Sequence, residues 1–131
     1  MFLDANIFIY SRGSGDSRGP ACRTLLRDVV AGAQHATTSW LVVNEVVNFY
    51  LRGGQLDAAL NAFDAIRGIP NLEILPLDAK GGAHVAHYLR SGLITSDAFH
   101  AATMKAHGIG VLCSYDRGFD KVEGVRRMEP K

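Results

Sequence analysis

Short apolar runs alternate with stretches of helical periodicity along the whole chain, and this alternation limits the fold more than any other feature. Met1 to Asp4 reads as a short strand and Asn6 to Tyr10 as a brief helical turn. Arg12 to Gly19 has the glycine, serine and arginine content of a loop. Pro20 suits a helix's first turn, which Ala21 to Val30 continues. Ala36 to Thr38 is a weak strand, and Trp40 to Leu51 a helix capped by Ser39 and stopped by Gly53 and Gly54. Gln55 to Ile66 repeats apolar residues at helical spacing. Leu72 to Leu75 is a strand closed by Pro76, and Asp78 to Leu89 a helix weakened by Gly81 and Gly82. Ser96 to Ala106 is a helix halted by Gly108, Gly110 to Cys113 a buried strand, and Val125 to Met128 a final edge strand. Strands that alternate with helices pair in parallel through crossovers, with helices on both faces of an α/β sheet.

The 131 residues fit one domain, 1–131, and 47% hydrophobic content supports a packed core. A formal net charge of +1 gives no global basic field, so any nucleic-acid contact must come from a local patch. Cys22 and Cys113 lack metal-ligand spacing, which fits a reducing, cytoplasmic setting. No basic segment precedes an apolar one near Met1, so a signal peptide is not expected, and no apolar run suggests a membrane span.

Four acids fall at the junctions of this pattern. Asp4 ends the first strand, Asp116 follows Gly110 to Cys113, and Asp97 opens the helix feeding that strand. Open parallel sheets bind ligands beyond the carboxyl ends of their strands, so neighbouring strands would gather these three carboxylates on one edge. Glu45 lies among Val42, Val43, Val46, Val47, Phe49 and Tyr50, where burial of an unpaired carboxylate is costly. Carboxylates gathered from distant segments suit a hard divalent cation. Each acid also has a purely structural reading. Asp4 can cap the turn after it, Asp97 can answer a helix dipole, and Asp116 can form a turn with Arg117 and Gly118. Glu45 can pair with Arg52, on the same helical stripe as Leu41 and Asn48.

The pieces in order resemble the PIN-domain nucleases, and in particular the toxins of VapBC toxin–antitoxin pairs. The match runs through Phe2-Leu3-Asp4-Ala5-Asn6, then Asn44-Glu45-Val46 after Thr37-Thr38-Ser39. It continues through Ser96-Asp97-Ala98-Phe99-His100-Ala101-Ala102 and ends at Ser114-Tyr115-Asp116-Arg117-Gly118-Phe119. The resemblance implies a three-layer α/β/α sandwich on a parallel four- or five-stranded sheet. It implies a metal-dependent endoribonuclease that hydrolyses RNA phosphodiesters with metal-activated water, held silent by a cognate antitoxin and assembled as a homodimer. Asp4, Glu45, Asp97 and Asp116 would be the catalytic residues and the ligands of one or two Mg2+ or Mn2+ ions. Asn6 and Ser114 would support them. Many relatives carry another acid where this chain has Gly118, and Asp120 is the candidate substitute.

Weaker constellations accompany these. Arg12, Arg18 and Arg117 could hold RNA phosphates if they flank the acid cleft. His100, one turn after Asp97, could touch the site, although packing explains it equally. His84 and His87 lack a third zinc ligand. Trp40 opens an apolar helix and suits a core or an interface, as do Leu41, Tyr50, Leu51 and Phe63. A receiver-like magnesium-binding signalling domain has similar size and alternation, but Asp116 is followed by Arg117 where a lysine is wanted. A haloacid-dehalogenase-like phosphatase needs a second aspartate where Asn6 stands. A PIN-fold binding scaffold without activity would not need all four acids.

Overall fold

The computed structural model describes all residues, 1–131. Its elements are β1 (Phe2–Leu3), α1 (Ala5–Arg12), α2 (Gly19–Val30), β2 (Ala36–Ser39), α3 (Trp40–Arg52) and α4 (Leu56–Arg67). They continue as β3 (Leu72–Leu75), α5 (Ala79–Arg90), α6 (Thr95–Ala106), β4 (Val111–Cys113), a 3-10 turn (Arg117–Lys121) and β5 (Arg126–Met128). The five strands form one parallel sheet in the order β3-β2-β1-β4-β5, the middle layer of an α/β/α sandwich. The reading of the chain as alternating strands and helices matches the structure, apart from the 3-10 turn at Arg117–Lys121, which it lacked, and α1, which runs on to Arg12.

β1 lies at the centre of the sheet, and its two residues are fully buried. Phe2 pairs with Thr37 on one side and with Leu112 on the other, so residues far apart in sequence frame the first strand. The core gathers around it from α1 (Ile7, Phe8), α3 (Val42, Val43, Val46) and α6 (Ala98, Ala101, Ala102, Met104). Side chains at the strand ends start the following helices. Asp4 accepts the Ala5 N–H at 2.7 Å and Ser39 accepts the Val42 N–H at 3.2 Å. Asp78, expected inside a helix, instead caps α5 by accepting the Gly81 N–H at 2.7 Å.

Gly81 weakens α5 as an isolated helix, yet it sets how closely α5 meets α6. A Cβ there would stand 2.9 Å from the Ala106 Cβ and 3.0 Å from the Leu77 Cδ1. The apolar surround of α3 is less buried than its composition suggests. Trp40 is 48% exposed and tilts against Phe63, with ring centroids 6.5 Å apart, and Phe49 is 53% exposed. Trp40 is therefore not a core residue, and Leu41, Tyr50 and Phe63 are only half-buried. No helix is long and apolar enough to cross a membrane.

Candidate active site

β1 and β4 are neighbours, as the convergence of the acids requires, and their carboxyl ends meet at Asp4 and Ser114. Asp4 is buried where it leaves the sheet. Its Oδ1 caps α1, while its Oδ2 accepts hydrogen bonds from Asn6 Nδ2 at 2.7 Å and Ser114 Oγ at 2.5 Å. Asn6 Nδ2 also donates to Ser114 Oγ at 2.9 Å, and that hydroxyl accepts the Asp116 N–H at 2.9 Å. One hydroxyl thus ties Asp4, Asn6 and the start of the Asp116 turn into a single network. Burial pushes the Asp4 carboxyl up from its ordinary value, against the lowering effect of the Ser114 bond.

All four acids line one cleft of about 600 Å³, together with Asn6, Ile9, Asn48, Phe49 and Arg52. Asp97, in the first turn of α6, is pushed up to about 6, first by burial and then by the negative charges of Asp116, Asp4 and Glu45. Asp116 begins the 3-10 turn and accepts the Gly118 N–H on Oδ1 at 2.8 Å. A Cβ at Gly118 would lie 3.0 Å from that same oxygen, so the glycine leaves room for the Asp116 carboxylate.

Glu45 is not paired with Arg52. Its Oε2 meets His100 Nε2 at 3.0 Å, and Arg52 reaches the cleft wall without an ion pair. Helical spacing suggested a partner on the same helix; the partner comes from α6, one turn beyond Asp97. His100 is 1% exposed, packs against Phe2 at 5.9 Å between ring centroids, and leaves Nδ1 without a hydrogen-bond partner. It therefore does more than pack. Burial acts to raise the Glu45 carboxyl, but the bond to His100 and its charge outweigh that and hold it below its ordinary value. Its spacing of one helical turn from Asp97 was the available signal for this residue. The donor atoms of Asp4, Glu45 and His100 lie within 4.8 Å of one another, the spacing of a metal-binding group.

Other expectations end elsewhere. Asp120 is not among the residues lining the cleft and accepts from Arg127 Nε at 2.6 Å, so it does not replace the acid missing at Gly118. Arg127, unnoticed in the sequence, also donates to the Ser114 carbonyl at 2.8 Å and steadies the end of β4. Arg18 is held by Asp16, through Nε and Nη2 at 2.9 and 2.8 Å, and is not a free phosphate-binding arm. Arg117 borders the Asp97 and Asp116 side of the site, and Arg12 is exposed at the end of α1. His84 and His87 share a surface pocket with Lys105 and Glu123 and gather no metal-binding group.

The PIN-domain family model matches residues 1–125. The chain belongs to the PIN-domain family. As a PIN domain it is 32% identical to ribonuclease VapC13 of Mycobacterium tuberculosis over 130 residues, 98% of each chain. Its fold superposes on the crystal structure of M. tuberculosis VapC20, a toxin that cleaves the sarcin–ricin loop. The TM-score is 0.72, with 21% identity and coverage of 93% of this chain and 94% of that one. VapBC2 of Rickettsia felis, bound to a DNA fragment from its promoter, superposes with a TM-score of 0.76 at 16% identity, covering 99% and 98% of the two chains. PIN domains are metal-dependent nucleases, which removes the receiver-like signalling reading.

Proposed function

We propose that this PIN domain is the endoribonuclease toxin of a toxin–antitoxin module, with Asp4, Glu45, Asp97 and Asp116 as its catalytic carboxylates. The convergence of acids from four separate segments on one cleft carries the reading. The similarity to VapC13 over the full domain gives it the ribonuclease class.

The donor set fits a hard divalent cation. All four groups are carboxylates, and one of them, Asp97, is held high first by burial and then by its neighbours' negative charge, the part that a cation would relieve. Asp4, Glu45, Asp97 and Asp116 would hold one or two Mg2+ or Mn2+ ions. Such an ion supplies water activation and neutralises charge on the scissile phosphate. The chain's own residues position this chemistry. Asn6 and Ser114 fix the Asp4 carboxylate from one side, and Ala5 N–H fixes its second oxygen. His100 fixes Glu45 from beneath, which leaves the other Glu45 oxygen free of the bond. Arg117, which borders the Asp97 and Asp116 side, would meet an RNA phosphate there.

The same negative cleft explains how such an enzyme can be silenced. A guanidinium forks across carboxylates and stays charged at any cellular pH. A cytoplasmic antitoxin whose flexible tail places an arginine near Asp4, Asp97 and Asp116 would block the cleft and compete for its ligands. The VapBC neighbours are toxin–antitoxin complexes, which supports a protein partner of this kind. The deciding experiment is cleavage of RNA by purified protein with and without Mg2+ or Mn2+. Cleavage that survives EDTA, or its absence with both metals, refutes the proposal. Alanine in place of the tail's arginine should weaken inhibition; equal inhibition without it sinks the arginine mechanism alone.

A further inference from the structure

One cluster beside the cleft is unused by this chemistry. The Arg18 guanidinium lies over the Tyr10 ring, 3.7 Å from its centroid, and 5.6 Å from the Tyr115 centroid. The two tyrosines meet edge to face with centroids 5.6 Å apart. Asp16 fills the Nε and Nη2 edge of the guanidinium, and the Arg18 side chain remains 42% exposed. The group is thus locked in one plane, with its charge answered, one face on an aromatic ring and surface still open to solvent. That is a poor hand for a phosphate and a good surface for a flat ring.

The cluster adjoins the cleft through Asn6. Tyr10 is one helical turn along α1 from Asn6, and the Tyr115 N–H donates to Asn6 Oδ1 at 3.3 Å. Tyr115 immediately precedes Asp116.

We propose that Arg18, seated on Tyr10 beside Tyr115, is a stacking platform for one unpaired base of the RNA substrate. Single-stranded RNA is held by bases stacked on aromatic rings and guanidinium planes, and that stacking tolerates any base. The platform gives the cleft a grip on substrate that does not depend on phosphate charge. It selects unpaired nucleotides, because a base in a duplex cannot leave its stack without cost. This rests on the ribonuclease reading for the identity of the ligand.

The test uses short single-stranded RNAs carrying 2-aminopurine at successive positions, mixed in Mg2+ with the wild-type protein, Arg18→Lys and Arg18→Ala. Cleavage is recorded in the same samples. Wild-type protein should quench the fluorescence at one position, and an abasic nucleotide there should weaken binding. Both variants should lose the quenching alike, with binding weakened roughly 5- to 100-fold, and Arg18→Lys should keep the wild-type salt dependence. Full binding by Arg18→Lys, or a reduced salt slope confined to Arg18→Ala, would mark a phosphate contact and overturn the proposal. If Arg18→Ala unfolds, Arg18→Lys decides alone, since a folded Arg18→Lys protein that keeps the quenching and the abasic effect overturns the proposal. Position-specific quenching without cleavage leaves the platform standing and removes the ribonuclease reading. Cleavage with no quenching at any position removes the platform alone.

Discussion

Asp4 holds the start of a helix and faces the cleft with the same carboxylate. Asparagine caps a helix about as well as aspartate, and it brings no charge into a buried place. Asp4→Asn is therefore expected to abolish RNA cleavage in a protein that still folds, with a modest drop in melting temperature because the new amide NH2 would face the Asn6 Nδ2 donor. Asp4→Ala loses the cap as well and should cost about 1 kcal/mol of stability. Retained cleavage by a folded Asp4→Asn protein would exclude this aspartate from catalysis. His100 allows a parallel comparison, because its Nε2 meets Glu45 at 3.0 Å from a fully packed position. His100→Leu should raise the Mg2+ concentration that cleavage needs by about 10- to 100-fold, the range for groups that orient metal ligands. His100→Gln, which keeps a donor, should recover part of the loss. Wild-type Mg2+ dependence in His100→Leu would reduce the histidine to packing.

Among the elements, α3 divides between cleft and surface. Val42, Val43 and Val46 are buried, Glu45 faces the cleft, and Trp40 and Leu51 stay exposed beside Leu56 and Leu60 of α4. Four exposed apolar side chains on two packed helices suit a contact with a second copy of the chain, since a two-fold contact uses one patch twice. A Leu56→Glu, Leu60→Glu double variant should shift light scattering from dimer to monomer with little change in melting temperature, because both side chains are already in solvent. A wild-type monomer at micromolar concentration would refute self-association. The same helix shows what sequence can reveal. The strand and helix sequence was legible because period and turn residues are local signals, and the acids stood out because Asp4 and Asp116 follow strands, Asp97 opens a helix and Glu45 sits among apolar residues. The Glu45 partner was not legible, since Arg52 lies on the same helix whereas His100 is 55 residues away. Asp120 was misplaced because nothing in the local pattern marked Arg127, seven residues on in β5, as its partner. Apolar composition could not separate the buried face of α3 from its exposed one.

At the scale of the molecule, the crowding of four carboxylates links stability to pH and to metal. Asp97 has its carboxyl raised to about 6, first by burial and then by Asp116. A raised carboxylate pKa means that the folded state holds its proton more tightly than the unfolded one. Without metal, the Asp97 contribution should therefore favour folding less and less as pH rises from about 4 through 6, with the cost complete above that range. Mg2+ binds the deprotonated site and competes with that proton. Its stabilising shift in melting temperature should be large at pH 7.5 and small at pH 5. An equal shift at both pH values, or none with millimolar Mg2+ or Mn2+, would argue against a carboxylate-held ion.

The position of β1 has a consequence for synthesis on the ribosome. The second and third residues form the middle strand, and β4, which completes one of its flanks, begins only at Val111. Asp4 meets its hydroxyl partner at residue 114, and Asp116 comes later still. A nascent chain can fold its helical hairpins early, but it cannot assemble the acidic cleft until nearly the whole domain has left the exit tunnel. Translation cut short anywhere before β4 should thus release harmless fragments. An antitoxin made in the same place would meet its target at the moment it first becomes dangerous.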